Sequence, residues 1–277
     1  MDKLFKCSRC GWACEKDHMT GDGDSIKRPR DTDEGSFGFE QVSFHEKARR
    51  VRDVFNSVSA KYDLMNDVMS LGFHRWWKTY AVAMLEIEAN QKVLDLAAGT
   101  ADISHRLLRV GLENLEVHCN DINYDMLSKG RDRMLDKGLH RSLKYIQSDG
   151  ENLPYQSDFF NRAIVSFGLR NMNRKDAALT EIFRVLAPNG KLVILDFSRV
   201  KPPMMRKLHR LYTLRVLPVL GKLVVGDSES YKYLGESIEV HPDQDALDFM
   251  LIRSGFSEVK HYNLMGGVVA VHVGWKV

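Results

Sequence analysis

The stretch Lys92–Asp102, with the sequence KVLDLAAGTAD, decides how the rest of the chain is arranged. Its apolar run ends in small residues, and a helical pattern, ISHRLLRVG, follows at once. This order is typical of a buried parallel strand, a tight turn and a helix. Because ligands of open α/β sheets bind outside the carboxyl ends of the strands, we expect a binding site at this turn. The first candidate residues there are Asp95, Gly99 and Thr100.

Strands and helices alternate after this stretch, which predicts an α/β fold with a mainly parallel sheet. The predicted strands are Leu115–Asp121, Leu143–Asp149, Arg162–Phe167 and Lys191–Phe197. The predicted helices are Asp102–Val110, Tyr124–Lys137 and Lys175–Leu186, the last of which is stopped by Pro188-Asn189-Gly190. A helix at Asp243–Arg253 precedes two final strands, Ser257–Leu264 and Gly267–Lys276. Their tight Met265-Gly266 link predicts antiparallel neighbours.

The N-terminal part of the chain divides into two regions. Residues 15–36 are charged, rich in Gly and Asp and without apolar periodicity, so we expect residues 1–36 to be a flexible tail and the folded domain to span 37–277. Residues 37–90 precede the first strand and become helical in pattern from Phe44, which predicts a helical cap. The tail carries the motif C-x2-C-x3-C-x3-H, formed by Cys7, Cys10, Cys14 and His18. These residues could bind zinc, and the alternative is that they belong to a disordered tail.

Composition restricts the function classes only weakly. The net charge of +3 and the pI near 8.6 neither demand nor exclude an anionic partner, and we expect no nucleic-acid role. No apolar run approaches the ~20 residues that cross a bilayer, and no signal peptide is visible. We therefore expect a cytoplasmic protein, soluble or peripheral at the membrane.

Polar residues follow four consecutive predicted strands. Asp121 ends the second strand, 22 residues after Gly99, where a carboxylate can accept hydrogen bonds from both ribose hydroxyls of a nucleoside. Asp149-Gly150 ends the third strand and suits an adenine edge, and Ser166 ends the fourth. The turn lacks the G-x-G-x-x-G of dinucleotide folds, which disfavours a nicotinamide cofactor. Together, the polar residues at the four strand ends indicate an adenosine-type ligand, although each of them alone also suits a helix cap.

Five segments resemble the ubiquinone/menaquinone biosynthesis C-methyltransferase family, which belongs to the class I methyltransferases that use S-adenosyl-L-methionine (SAM). They are KYDLMNDVMSLGFHRWWK (61–78), LDLAAGTAD (94–102), SFGLRNMNRKDAAL (166–179), FRVLAPNGKLVILDFS (183–198) and SYKYLGESIEVHPDQD (230–245). The resemblance runs from about Phe37 to the end of the chain. It implies a Rossmann-like sheet of seven strands, with the helical cap and a basic helical insertion at residues 201–226 as additions. Ala98 and Ala101 depart from the family, which usually has glycine there.

The resemblance implies methyl transfer from SAM to a ring carbon of a polyprenylated benzoquinol or demethylmenaquinol. The positions that match SAM-binding residues of the family are Thr100, Asp121, Asp149, Gly150 and Ser166. An aromatic carbon attacks poorly unless a neighbouring ring hydroxyl loses its proton, so the site must favour a phenolate. We hypothesise that Arg170 and Asn171 stabilise this phenolate, directly or through water, while Tyr62 and Asp63 of the cap close over the ring. His241 is the competing base, and packing is its alternative role.

Residues 201–226 interrupt the alternation with a basic, amphipathic segment. Such a segment suits the surface of an anionic bilayer, from which a lipid-tailed substrate can enter the site. A lid or a dimer contact explains the same pattern. Alternatives to the whole assignment are a SAM enzyme with another phenolic or lipid substrate, a nicotinamide enzyme, and a non-catalytic partner in a quinone biosynthesis complex.

Overall fold

The computed structural model describes residues 34–58, 62–139, 141–224 and 226–277. Its strands are β1 Glu34–Phe37, β2 Glu40–Ser43, β3 Lys92–Leu96, β4 Glu116–Asp121, β5 Leu143–Gln147, β6 Phe160–Ser166, β7 Leu186–Phe197, β8 Ser257–Leu264 and β9 Val269–Lys276. Its helices are α1 Phe44–Val58, α2 Tyr62–Ser70, α3 His74–Met84, α4 Asp102–Leu108, α5 Tyr124–Asp136, α6 Lys175–Val185, α7 Pro203–Leu211, α8 Leu217–Val224, α9 Glu229–Val240 and α10 Gln244–Arg253.

Seven strands form one twisted sheet in the order β5-β4-β3-β6-β7-β9-β8. The strands from β3 to β7 are parallel to their neighbours, whereas β9 runs antiparallel to both β7 and β8. Helices cover both faces of the sheet, and each face has its own apolar core. The strand order reverses between β3 and β6, and this is where an open α/β sheet opens a crevice at its carboxyl edge. The predicted class, a seven-stranded sheet of Rossmann type with a final antiparallel pair, is confirmed.

The polypeptide before β3 differs in one respect from the predicted cap. An antiparallel hairpin of β1 and β2 precedes the three helices, with Glu34 opposite Ser43, so the first described strand begins three residues before the expected boundary at Phe37. These strands are short and polar and lack the alternation that marks a strand in sequence. Phe37 stacks on Tyr233 of α9 with ring centroids 4.2 Å apart, which ties the hairpin to the body of the protein. Cys7, Cys10, Cys14 and His18 lie outside the described residues.

The predicted stop at Pro188-Asn189-Gly190 is wrong in detail. Strand β7 begins directly after α6, at Leu186, which pairs with Phe160. The three residues form an irregularity inside the strand, since the next paired residues are Arg162 and Lys191. Asn189 takes φ +61°, a left-handed conformation that asparagine tolerates better than most residues. The segment therefore bends the strand instead of separating two elements.

The basic insertion consists of α7, a π-helical turn at Tyr212–Val216, and α8, and it packs on α9. Two glycines permit the close approach: a Cβ at Gly235 would lie 2.5 Å from the carbonyl oxygen of Thr213, and one at Gly221 would overlap the Tyr231 ring. No helix in the described ranges has the length and apolar character needed to cross a membrane.

Candidate active site

The turn after β3 is built from backbone conformations that favour glycine. Ala97, Gly99 and Ala101 all have left-handed φ angles, of +57°, +52° and +59°. Alanine in this conformation is less stable by roughly 1 kcal/mol, so a glycine at position 101 would be less strained. Hydrogen bonds hold the turn in place: the Ala98 N–H donates to the carbonyl of Asn120 at 3.0 Å, and the Ala101 N–H donates to that of Ala98 at 2.9 Å.

Asp95 supports this turn from inside the protein. Its Oδ2 accepts hydrogen bonds from the Ser104 backbone N–H at 3.0 Å and from the Ser104 hydroxyl at 2.6 Å, at the start of α4. Burial raises the pKa of Asp95 to about 7, against these two hydrogen bonds. Neither Asp95 nor Thr100 lines the cavity described next. The hydroxyl of Thr100 is buried and has no hydrogen-bond partner among the described residues.

The carboxyl ends of the strands open into a cavity of about 360 Å³. The structure brings the four predicted strand ends together there, since the lining includes Gly99, Asp121, Asp149, Gly150 and Ser166. The volume lies in the range of small-molecule sites. Ser166 presents a buried hydroxyl with no hydrogen-bond partner in the described part of the chain. An unsatisfied buried hydroxyl at a cavity wall is available to a ligand.

Asp121 is fixed at the cavity wall by the backbone around it. Oδ2 accepts a hydrogen bond from the Gly99 N–H, and Oδ1 accepts one from the Asn123 N–H, each at 2.8 Å. Each carboxylate oxygen has a second lone pair, so both can still accept a ligand hydroxyl. Burial raises the pKa of Asp121 and also that of Asp149, whose Oδ1 accepts the Glu151 N–H at 2.9 Å. The arrangement is a pre-oriented acceptor pair that suits a vicinal diol.

Helix α1 of the cap forms the opposite wall of the cavity. Ala48, Val51, Arg52 and Phe55 line it along one helix face. Directly before Ala48, the buried Lys47 ammonium donates to the carbonyl of Met172 at 3.1 Å, and burial lowers the pKa of Lys47 to about 8. Tyr62 and Asp63 begin α2, but their side chains lie outside what the structure describes.

Arg170 and Asn171 lie on a short 3₁₀ turn after β6, and only Asn171 lines the cavity. The Arg170 guanidinium is buried behind the wall, where Nη1 donates to Asp196 Oδ1 at 3.0 Å and to the carbonyl of Phe167 at 2.5 Å. Its Nε is buried without a partner among the described residues. Asn171 accepts a hydrogen bond from the Tyr233 hydroxyl at 2.9 Å, which fixes the orientation of the amide.

His241 lies just after α9, outside the cavity lining. Both of its ring nitrogens are buried, and neither has a hydrogen-bond partner within the described ranges. Burial lowers the pKa of His241 to about 4, with Lys175 and Arg170 adding to the effect and Asp196 opposing it. The imidazole is therefore neutral at neutral pH.

Comparison with known proteins identifies the family. The ubiE/COQ5 methyltransferase family model matches residues 43–276. The chain belongs to that family. It is 49% identical over 241 residues to the ubiquinone/menaquinone biosynthesis C-methyltransferase UbiE of Methylococcus capsulatus, with 87% of this chain and 97% of that protein covered. It is 46% identical over 240 residues to UbiE of Coxiella burnetii, covering 87% and 96%.

A solved SAM-dependent methyltransferase from Thermotoga maritima has the same fold, with a TM-score of 0.57 at 16% identity over 81% of this chain and 99% of that one. At this identity the likeness concerns the fold alone. The expected resemblance to the ubiE/COQ5 methyltransferase family is thus confirmed over most of the chain.

Three neighbours of the candidate site in this ubiE/COQ5 family member were not singled out from the sequence. Asp196 follows the apolar run of β7 and obeys the same strand-end rule that identified Asp121, so the signal was present. Tyr233 lies within a segment used for the resemblance but had no pattern of its own. Lys47 looks like an ordinary helix-surface lysine in sequence, and only the fold reveals its burial.

Proposed function

We propose that this chain methylates a ring carbon of a polyprenylated benzoquinol, a demethylmenaquinol or both, with SAM as the methyl donor. As a ubiE/COQ5 family member it is a SAM-dependent C-methyltransferase of quinone biosynthesis. The observation that carries the proposal is the cavity at the carboxyl ends of β3 to β6, where Asp121, Asp149 and Ser166 converge.

The cavity fits the nucleoside part of SAM on the chemistry of its donors and acceptors. Asp121 accepts the two ribose hydroxyls with the lone pairs that Gly99 and Asn123 leave free. Asp149 and the Gly150 N–H hold the adenine edge, and the Ser166 hydroxyl supplies a further polar contact. Space at Gly150 is tight, since a Cβ there would lie 3.2 Å from the terminal methyl group of Met172. Asp95 acts indirectly, by supporting the turn through its hydrogen bonds to Ser104, and Thr100 is part of that turn.

Bound SAM supplies an electrophilic methyl group on a sulfonium. The residues of the chain must then make the ring carbon nucleophilic by stabilising the phenolate of a neighbouring hydroxyl, whose pKa in water is about 10. Asn171 reaches the cavity and donates through its amide nitrogen, because Tyr233 occupies its oxygen. Arg170 lies one layer behind and acts through the unpartnered Nε by way of a water molecule. Tyr62 and Asp63, from the cap, close over the ring.

The proton of the ring hydroxyl needs an acceptor, and two arrangements compete. In the first, it leaves through a water held by Arg170 and Asp196. In the second, His241 takes it, since its nitrogens are free of other partners. A pKa near 4 makes His241 a weak base for a phenol, which favours the first arrangement. His241→Ala separates the two, because it removes the second path and leaves the buried ion pair intact.

The insertion provides a route for a substrate with a lipid tail. Met204, Leu208 and Leu211 recur at i, i+4 and i+7 on α7 and are all largely exposed, which leaves an apolar stripe facing solvent. Lys207 and Arg215 flank the stripe and are also exposed. Leu71 and Trp76 of the cap are exposed as well, and the Tyr212 hydroxyl, 3.4 Å from the Met69 carbonyl, joins cap and insertion. We infer that this surface of α7 and the cap binds an anionic bilayer. The alternative is that it forms a homodimer contact or a contact within a quinone biosynthesis complex.

The decisive experiment follows methyl-labelled SAM into product. Demethylmenaquinol and a demethylated polyprenyl benzoquinol are offered separately, both reduced, in detergent micelles. Label on a ring carbon confirms the reaction and determines the ring preference. If SAM binds but neither ring is labelled, another phenolic or lipid substrate or a non-catalytic partner role takes precedence. If SAM does not bind, the assignment of the cavity is wrong.

A further inference from the structure

A cluster of two histidines and one aspartate lies on the β8–β9 pair at one edge of the sheet, outside the cavity lining. His261 on β8 and His272 on β9 are directly opposite each other in the antiparallel pair, so their rings project from the same face. Asp248 of α10, the helix that packs on these strands, reaches both rings. One carboxylate oxygen lies 2.6 Å from Nδ1 of His261, and the other lies 2.7 Å from Nδ1 of His272.

This cluster differs from the other histidine contacts of the protein. One ligand atom from each of the three residues lies within 4.8 Å of the others, and no other trio of His, Cys, Asp and Glu in the described ranges is this compact. His74 and His118 also lie close to carboxylates, but neither shares its carboxylate with a second histidine. Two imidazoles and one carboxylate form a donor set that suits divalent zinc, nickel, copper and iron.

We propose that Asp248, His261 and His272 bind a divalent first-row transition-metal ion, such as Zn²⁺, that clamps α10 to the β8–β9 hairpin. The three ligands come from three elements with fixed relative positions, so little ordering is needed for binding. His272 is fully buried and held by the core, whereas Asp248 and His261 are each about one-fifth exposed and leave an entry path from solvent. Water fills the remaining coordination positions.

The required rearrangement is small. Zinc lies about 2.0–2.2 Å from nitrogen and oxygen ligands in tetrahedral geometry, so its ligand atoms stand roughly 3.3–3.6 Å apart. The two Asp248 contacts must therefore open by about an ångström while the histidine nitrogens draw slightly together. A ring that donates from Nδ1 must shift that proton to Nε2 as the ion arrives, and a ring that is protonated must release one proton. Metal binding is consequently weaker at acidic pH.

The test uses the 277-residue chain with Cys7, Cys10 and Cys14 changed to serine, so that these thiolates cannot bind the metal. After chelator treatment, Zn²⁺ binding is measured by calorimetry at neutral pH, and Co²⁺ is used as a spectroscopic substitute. We expect one ion per chain and a ligand-field spectrum of nitrogen and oxygen ligands. A role of these side chains in packing alone gives no such spectrum.

His261→Ala and Asp248→Asn are the diagnostic variants, because both sites are partly exposed and the asparagine keeps the shape of the carboxylate. Loss of an outer-shell partner already costs about 10–100-fold in affinity, so loss of a direct ligand should raise the Kd by about 100-fold or more. His45→Ala, an exposed histidine on α1, serves as the control and should bind as before. Absence of binding by the parent chain, or binding that both variants retain, overturns the proposal.

Discussion

Arg170 and Asp196 form an ion pair inside the protein, with Nη1 of the guanidinium 3.0 Å from Oδ1 of the carboxylate. Asp196 also accepts the backbone N–H groups of Arg170 and Phe197, at 3.3 and 2.9 Å. The pair thus joins the end of β7 to the turn that carries Asn171. Arg170 can either act in catalysis or only support the wall of the site, and variants of the pair distinguish these two roles.

Asp196→Ala should destabilise the fold by about 3–5 kcal/mol, because it leaves a buried guanidinium without its counter-charge. The double variant Arg170→Met, Asp196→Leu removes both charges and should recover part of this loss, since apolar replacements of buried pairs are often neutral. The recovery is incomplete because leucine leaves the backbone N–H groups of Arg170 and Phe197 without their acceptor. Unfolding in urea measures both effects. If Arg170 takes part in the chemistry, the double variant binds SAM normally but has lost methyl transfer. Full turnover by that variant would restrict Arg170 to a structural role.

Asp121→Ala should abolish most SAM affinity. Hydrogen bonds to a charged group contribute about 1.5–3 kcal/mol, so the Kd should rise by roughly 10- to 150-fold. Calorimetry with SAM measures the change. Asp125→Asn, which removes an exposed carboxylate from the first turn of α5, is the matched control and should leave the Kd unchanged. Equal effects of the two variants would mean that only the overall charge near this helix matters.

Much of this site follows from one periodic rule. Apolar runs that alternate with helical patterns predict parallel strands, and the residue types at their carboxyl ends then predict the cavity wall, as Gly99, Asp121 and Ser166 illustrate. The Arg170–Asp196 pair does not follow, because 26 residues separate its members and nothing in either neighbourhood specifies the partner. The β1–β2 hairpin also escaped prediction, since a short polar strand carries no periodic signal.

Asp95 should make stability depend on pH in an unusual direction. Its folded-state pKa of about 7 lies above the ordinary value of 3.8, so between these values the folded protein binds more protons than the unfolded chain does. The free energy of unfolding therefore falls as pH rises from about 4 to 7 and levels off above that, by roughly 4 kcal/mol at most. Denaturant titrations of the wild type and Asp95→Asn across this range isolate the contribution. A constant difference between the two proteins would refute the raised pKa.

The exposed stripe of α7 should drive binding to anionic membranes. Met204, Leu208 and Leu211 are 78%, 59% and 56% exposed. Contact of these apolar side chains with water is unfavourable, and their insertion into a lipid headgroup interface removes that contact. Each flanking basic residue adds about 1 kcal/mol of attraction, so Lys207→Gln with Arg215→Gln should weaken partitioning about 30-fold. Flotation with phosphatidylserine-containing liposomes measures this partitioning. The control is Lys137→Gln with Arg141→Gln, which removes two exposed charges elsewhere on the surface.

The apolar part of the same surface is tested by Leu208→Ser with Leu211→Ser, against Leu135→Ser on α5 as the exposed-leucine control. The α7 variant should lose liposome binding even at low salt, where the charges alone are strongest, because the headgroup interface no longer gains apolar area. Turnover of a quinol with a long tail should fall with it, whereas a short-tailed, water-soluble analogue should be methylated as before. A different result would be that the α7 variant and the Leu135→Ser control both float with liposomes like the wild type, while the α7 variant shifts the protein from dimer to monomer. The stripe would then be a contact between two copies of the chain, and the substrate would have to enter by another path.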